Sequence, residues 1–152
     1  MPHRKPNQQG MTIYEILAVA LIISILVLVA LPNFISNKDR AKDSAMESNA
    51  RALRIMLETY HIDNKIYPEN LLTLGHEATN KNYNKIMTNP YNNARGNVES
   101  GKWAIDYVGT TGPAGMVTYQ PISNNDKYYI FGYDSTGNLH KKSGKVFTMS
   151  NG

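Results

Sequence analysis

The chain has 152 residues and a mass of 17.0 kDa, enough for one compact domain and little more. It contains no cysteine, which excludes a disulfide scaffold, a thiolate-held metal and thiol catalysis. Charged residues make up only 18% and the formal net charge is +4, so there is no extended charged tail, and charge alone does not argue for nucleic-acid binding.

The chain is 41% hydrophobic, yet its mean hydropathy is −0.41, so the apolar residues must be concentrated in one place. That place is Ile16–Leu31, sixteen positions whose only polar member is Ser24. A bilayer span takes about 20 residues, and Met11–Tyr14 upstream with Phe34 and Ile35 downstream extend the run to that length. A buried core helix is excluded, because the rest of the chain is too small to surround such a run. A secretory signal peptide fits the basic start His3-Arg4-Lys5, but Leu28-Val29-Ala30 is a poor cleavage box. Glu15 decides for a retained membrane helix: an ionisable group in an apolar span costs roughly 2.5–3.5 kcal/mol at the bilayer centre and is by default functional. Basic residues flank the run on both sides, with Arg4 and Lys5 before it and Lys38, Arg40 and Lys42 after it, so they do not set its orientation.

From Asn33 to Ile62 the pattern turns amphipathic. Ala45 and Met46, Ala50, Leu53, Met56 and Leu57, and Tyr60 recur at helical spacing, with Lys38, Asp39, Lys42, Asp43, Glu47, Arg51, Arg54 and Glu58 on the other face. Glu47–Arg51 and Arg54–Glu58 form i,i+4 pairs on that solvent face. One nearly continuous helix is expected from Met11 to about Ile62, with Asn64 as a left-handed cap and Pro68 forbidding continuation. Pro68–Leu72 has the makings of one short helical turn, and Gly75–Gly101, with seven asparagines, reads as irregular loop. Met116–Ile122, Tyr128–Tyr133 and Val146–Met149 read as strands of a small antiparallel sheet, with turns at Asn124-Asn125 and at Asp134–Asn138, where Gly137 suits a positive φ. Lys141, Lys142 and Lys145 are expected to keep a sheet edge polar.

Gly10-Met11-Thr12-Ile13-Tyr14-Glu15, with a short basic leader before it and Pro32 near the end of the apolar helix, resembles the N-terminal segment of type IV prepilins and pseudopilins. Tyr14 stands where an aliphatic residue is commoner, and Ser24 where many members carry glycine. The resemblance implies an α+β, pilin-like fold: a long N-terminal helix, half of it transmembrane, packed on a small antiparallel β-sheet. It implies a leader at 1–10, a transmembrane and filament-core helix at 11–35, and a globular head at 36–152. The head would comprise an amphipathic helix at 36–62, a loop at 63–115 and the sheet at 116–150. A prepilin peptidase would cut after Gly10 and methylate the new amine of Met11. Thr12, Glu15 and Pro32 would serve assembly, with Glu15 pairing to a neighbour's Met11 amine and Pro32 kinking or locally melting the rod. An assembly ATPase and an inner-membrane platform would then lift subunits from the cytoplasmic membrane, heads outside the cytoplasm, into a homo-oligomeric helical filament. The missing cysteines, and the Tyr67-Pro68 and Asn89-Pro90-Tyr91 sequences, lean toward the major pseudopilin of type II secretion over a surface pilus.

Residues with chemistry are sparse beyond this segment. His61, His76 and His140 fall in no metal-ligand spacing, and no catalytic set converges, so no enzyme is expected. The competing class is a membrane-anchored binding domain. The resemblance also suggests calcium at C-terminal loops, through Asp134, Asn138 and Asp126, but the family's fuller acidic series is missing, and no other cofactor is expected. His140–Lys145 is a small basic cluster; a solvated turn is favoured there over a DNA contact like that of a competence pilin.

Overall fold

A computed structural model of the chain describes residues 10–151; the leader residues His3, Arg4 and Lys5 lie outside them. The first helix, α1, spans Ile13–Asn64. The chain divides inside this helix into two compact units, 1–38 and 39–152.

In the first unit every residue from Met11 to Leu31 is exposed. These are mostly leucine, isoleucine, valine and alanine. Ser24 satisfies its hydroxyl inside the helix, donating to the Ala20 carbonyl at 2.7 Å. The helical backbone passes through Pro32, so the proline removes one helix donor without ending the helix or melting it.

In the second unit the amphipathic stretch of α1 buries Met46, Ala50, Leu53, Met56, Leu57 and Tyr60, the face the spacing predicts. Two residues assigned to the solvent face are not there. Glu47 is buried, and Glu58 turns from Arg54 to accept hydrogen bonds from the hydroxyls of Tyr67 (3.0 Å) and Tyr128 (2.6 Å). A carboxylate in reach of two buried tyrosines gains more there than from a solvated arginine. At the helix end it is Lys65, not Asn64, that takes the left-handed conformation (φ 64°), while the Asn64 amide donates back to the Tyr60 carbonyl at 3.0 Å.

The stretch 63–115, expected as loop, holds a second helix and three short strands. Helix α2 covers Leu71–Asn80. Asn70 caps it, its side chain accepting from Thr73 N at 2.8 Å, and Asp106 accepts from Leu71 N at 2.9 Å. Leu71, Leu74 and Ala78 are spaced as one helical face and are buried, so packing extends what reads locally as a single turn. Strands β1 (Met87–Thr88) and β2 (Arg95–Gly96) form a two-stranded ladder; a 3-10 turn at Val98–Ser100 then leads to β3 (Ala104–Asp106).

The main sheet joins β3 to β4 (Val117–Ile122), β5 (Lys127–Gly132) and β8 (Thr148–Ser150), in the order β3-β4-β5-β8. It is not wholly antiparallel: β3 pairs with β4 in parallel, Ala104 opposite Val117, because the ten-residue connection 107–116 carries the chain back before β4 begins. β4 and β5 form the central hairpin, closed by Ser123, Asn124 and Asn125 with φ of 53°, 57° and 65°. Alternation on β5 puts Tyr128 and Ile130 inward and Tyr129 and Phe131 outward. Gly132 ends the strand where any Cβ would strike the Met46 sulfur, so the helix approaches the sheet closely there. The expected strand Val146–Met149 breaks at Phe147. Its first part is β7 (Lys145–Val146), which pairs with β6 (Lys141–Lys142) as a separate hairpin. The lysines of that hairpin therefore guard no edge of the main sheet. Tyr128, Ile130, Tyr119 and Val117 meet the α1 face, Leu71 and Leu74 of α2, and Trp103 in one core.

Candidate functional site

At the start of α1, Thr12 and Glu15 close on each other. The Thr12 amide donates to the Glu15 carboxylate at 2.7 Å and its hydroxyl does so at 2.9 Å, while Glu15 N donates to the Thr12 hydroxyl at 3.3 Å. This is a reciprocal capping box, readable as Thr-x-x-Glu but not noticed among the residues that point to assembly. It gives the carboxylate a local partner in the isolated chain, using the amide one residue after Met11. Met11 is 71% exposed, and Gly10 has open space where a side chain would stand, so nothing among the described residues shields the Gly10–Met11 bond. Pro32 lies five helical turns further along α1 by the usual rise.

The three oxygen donors expected to hold calcium do not converge. Asp134 and Asn138 share one turn, where Asp134 Oδ1 accepts from Thr136 N (2.8 Å), the Thr136 hydroxyl (2.6 Å) and Asn138 N (3.1 Å). Partial burial pushes the Asp134 carboxyl up, but these hydrogen bonds and His140 outweigh it and hold it below its ordinary value. Asp126 sits at the other end of β5, about 20 Å away at the usual strand rise, where its carbonyl accepts from the Asn151 amide. Calcium takes six to eight oxygens, and the one carboxylate oxygen that defines this turn is already spent on closing it, so the residues do not fit the ion.

The structure gathers a different polar cluster, which sequence reasoning did not assemble. His140 is buried between α1 and β6, with Nε2 3.5 Å from Glu47 and Nδ1 3.9 Å from Asp43. Lys142 donates to Glu47 at 2.7 Å, Arg51 stands 3.7 Å from the same carboxylate, and the Tyr91 hydroxyl donates to Asp43 at 2.7 Å. Burial pushes the Glu47 carboxyl up; Lys142 and His140 pull it down further, leaving it below the ordinary 4.5. These contacts staple the C-terminal hairpin and the β1–β2 loop to α1. Asp43 and Glu47 at i,i+4 were visible in the sequence, but Lys142 is 95 residues from Glu47, and no local pattern announces that pair.

Among the described residues α1 is also the one helix long and apolar enough to cross a membrane, with a mean hydropathy of 2.8 over its most apolar window. Comparison with known proteins bears on the family. The chain is 40% identical over 77 residues to the competence protein ComGC of Halalkalibacterium halodurans, covering 49% of this chain and 76% of that one. It is 31% identical over 132 residues to the type II secretion system core protein G of Escherichia coli, covering 78% of this chain and 91% of that one. Against the type IV wide pilus major component PilA4 of Thermus thermophilus the identity is 35% over 79 residues, half of this chain and 60% of that one. No family model matches the chain, and no solved structure matches it. A long apolar helix opening on a capped glutamate, an α+β fold behind it, and relatives of this kind over most of their length agree: the chain belongs to the type IV pilin and pseudopilin family and is a structural filament subunit, not an enzyme.

Proposed function

We propose that the precursor crosses the cytoplasmic membrane once through residues 11–35, head outside, and that a membrane-embedded prepilin peptidase removes residues 1–10 and methylates the Met11 amine. The mature subunit then enters a type II secretion pseudopilus, lifted by an ATP-driven assembly machine on an inner-membrane platform. The observation that carries this reading is Glu15, a carboxylate one turn from Met11 and the one charged side chain in the stretch Met11–Leu31, which is almost wholly apolar and exposed throughout. In lipid such helices gain no hydrophobic energy by associating, so assembly needs another term. A neighbour's Met11 amine paired with Glu15 supplies charge compensation and sets register. The Thr12 amide and hydroxyl hold the carboxylate meanwhile, and exchanging them for a full positive charge favours the polymer. Moving the rod from lipid to a protein core gains little, which is why a motor is needed.

Support for a secretion filament over a surface pilus comes from the Escherichia coli relative, matched over 91% of its length. A competence filament is the second reading, favoured by the Halalkalibacterium halodurans relative. Mass spectrometry of the N-terminal peptide tests the processing step. The expected product begins at Met11 with a methylated amine; a chain beginning at Met1, or cut after Ala30, overturns the proposal. Deletion of the gene, read in parallel for exoprotein release and for DNA uptake, separates the two filament types.

A further inference from the structure

The described part of the head carries a basic surface beside residues 40–47 of α1. Lys141, Lys142, Ser143, Gly144, Lys145 and Val146 are all exposed. They form the tight β6–β7 hairpin, closed by two turn residues of positive φ, Ser143 (52°) and Gly144 (80°). Its Lys142 is stapled to Glu47, which sets the hairpin beside the start of the head's portion of α1. Arg40 and Ser143 accordingly line one depression of about 560 Å³, together with Lys141, Lys142 and the carboxylates of Asp43 and Glu47. The nearby carboxylates are largely occupied: Glu47 by Lys142, Arg51 and His140, and Asp43 by the Tyr91 hydroxyl. Asp39, exposed beside Arg40, subtracts one charge. Among the described residues Arg40, Lys141 and Lys145 make no ion pair, so the surface is net cationic.

Its distance from the membrane is limited by the chain itself. Arg40 follows Ile35 by five residues, so whatever the angle between the two units it lies within about 18 Å of the end of the apolar segment. A headgroup layer of about 5–8 Å and a Debye length of about 8 Å together span about 13–16 Å, most of that upper limit.

We propose that the β6–β7 hairpin and Arg40 form a docking surface for the anionic phospholipid headgroups of the membrane that holds the apolar helix; this rests on the membrane-inserted reading above. Magnitude selects the partner. Each basic residue near an anionic bilayer changes occupancy about fivefold, so three free cations less the Asp39 charge supply about 25-fold. That is too little to capture a free polyanion, since duplex DNA is held through about six to ten phosphate contacts. It is ample for a surface that the same chain already tethers, where the effective concentration is high. Val146, 40% exposed next to Lys145, adds an apolar contact at the same level. Docking would seat the head on the bilayer before extraction and be broken as the subunit leaves.

The absence of cysteine makes single-site labelling clean. The full-length chain is reconstituted in vesicles of phosphatidylcholine alone, or with a third of the lipid replaced by phosphatidylglycerol. It carries a fluorophore at Ser143→Cys, at Asp126→Cys on the far end of β5, or at Ala20→Cys in the apolar helix, and headgroup-borne or acyl-borne quenchers report contact. The expected result is headgroup quenching at Ser143 in anionic vesicles only. It is reversed in molar salt, its docked-to-undocked ratio falls about fivefold for each of Lys141→Gln and Lys145→Gln, and Asp126 stays unquenched. Equal quenching at Ser143 in both lipids, with Ala20 shielded in both, overturns this inference and leaves the membrane reading standing. An unshielded Ala20 overturns both. Salt-sensitive protection of Ser143 by added duplex DNA in neutral vesicles, with none from anionic lipid, overturns it in favour of a nucleic-acid partner.

Discussion

The same helix meets two kinds of surroundings, and the two stretches differ in who buries them. From Met11 to Leu31 α1 is apolar on every side and exposed on every side. From Met46 to Tyr60 it is apolar on one side only, and that side is covered by the chain's own sheet and by α2. The first pattern specifies no internal partner, so lipid or other subunits must supply the contact; the second specifies a face and is satisfied within the molecule. Substitutions in the first stretch should therefore show in assembly, and in the second in folding.

The largest effect is expected at Glu15. Glu15→Ala makes the helix more apolar and leaves Gly10 untouched, so membrane insertion and leader cleavage proceed. An incoming Met11 amine then has no partner. An uncompensated buried charge costs about 3–5 kcal/mol, which lowers the assembly equilibrium by two to three orders of magnitude. Glu15→Gln should fail nearly as badly, since it keeps the size and loses the charge. Electron microscopy of sheared filaments, with immunoblots for the cleaved subunit in membranes, checks this; normal filaments would mean that packing alone sets the register.

The head's counterpart is Leu57, fully buried at the centre of the α1 face. In a chain lacking residues 1–35, expected to be soluble, monomeric and cooperatively folded, Leu57→Ala should cost roughly 2–5 kcal/mol by denaturant unfolding. An unchanged midpoint would show that the head is not built on this face.

A smaller effect is expected at Glu47. Its carboxyl sits below the ordinary 4.5, so its contribution is present above that pH and is lost as pH falls through the lower folded value. Acid should therefore destabilise the head below about pH 4.5. Glu47→Gln should flatten that acid limb and cost about 1–2 kcal/mol at neutral pH, the lower part of the range for charged hydrogen bonds because Lys142 faces solvent. A Glu47→Gln head with the same acid limb would remove the staple from the account of stability.

Ile62 marks the small end. It lies on the same helix at 67% exposure, and Ile62→Ala should leave head stability within about 0.5 kcal/mol. A larger loss would mean that the exposed side of α1 has a partner inside the head after all.

The sequence by itself determined whatever rests on local pattern. Sixteen apolar positions with one serine make a helix that no chain of this size can enclose, and Thr12 with Glu15 three residues on writes its own cap. The spacing of Met46, Leu53, Leu57 and Tyr60 marks a buried face before any partner is known, and a turn at Asp134–Asn138 asks for Gly137 at positive φ (79°). Tertiary structure decided what depends on residues distant in the chain. Ten residues from Leu71 become a helix because Leu71, Leu74 and Ala78 find the core. β3 runs parallel to β4 because the connection between them returns along the sheet, and propensity carries no direction. Glu47 left the solvent face because Lys142 and His140, more than ninety residues later, arrive beside it, and Glu58 chose two tyrosines over Arg54 for the same reason. Asp126 was parted from Asp134 by the whole length of β5. A carboxylate's partner is set by which cation or hydroxyl the fold delivers within about 3 Å, and spacing along one helix ranks only the candidates on that helix.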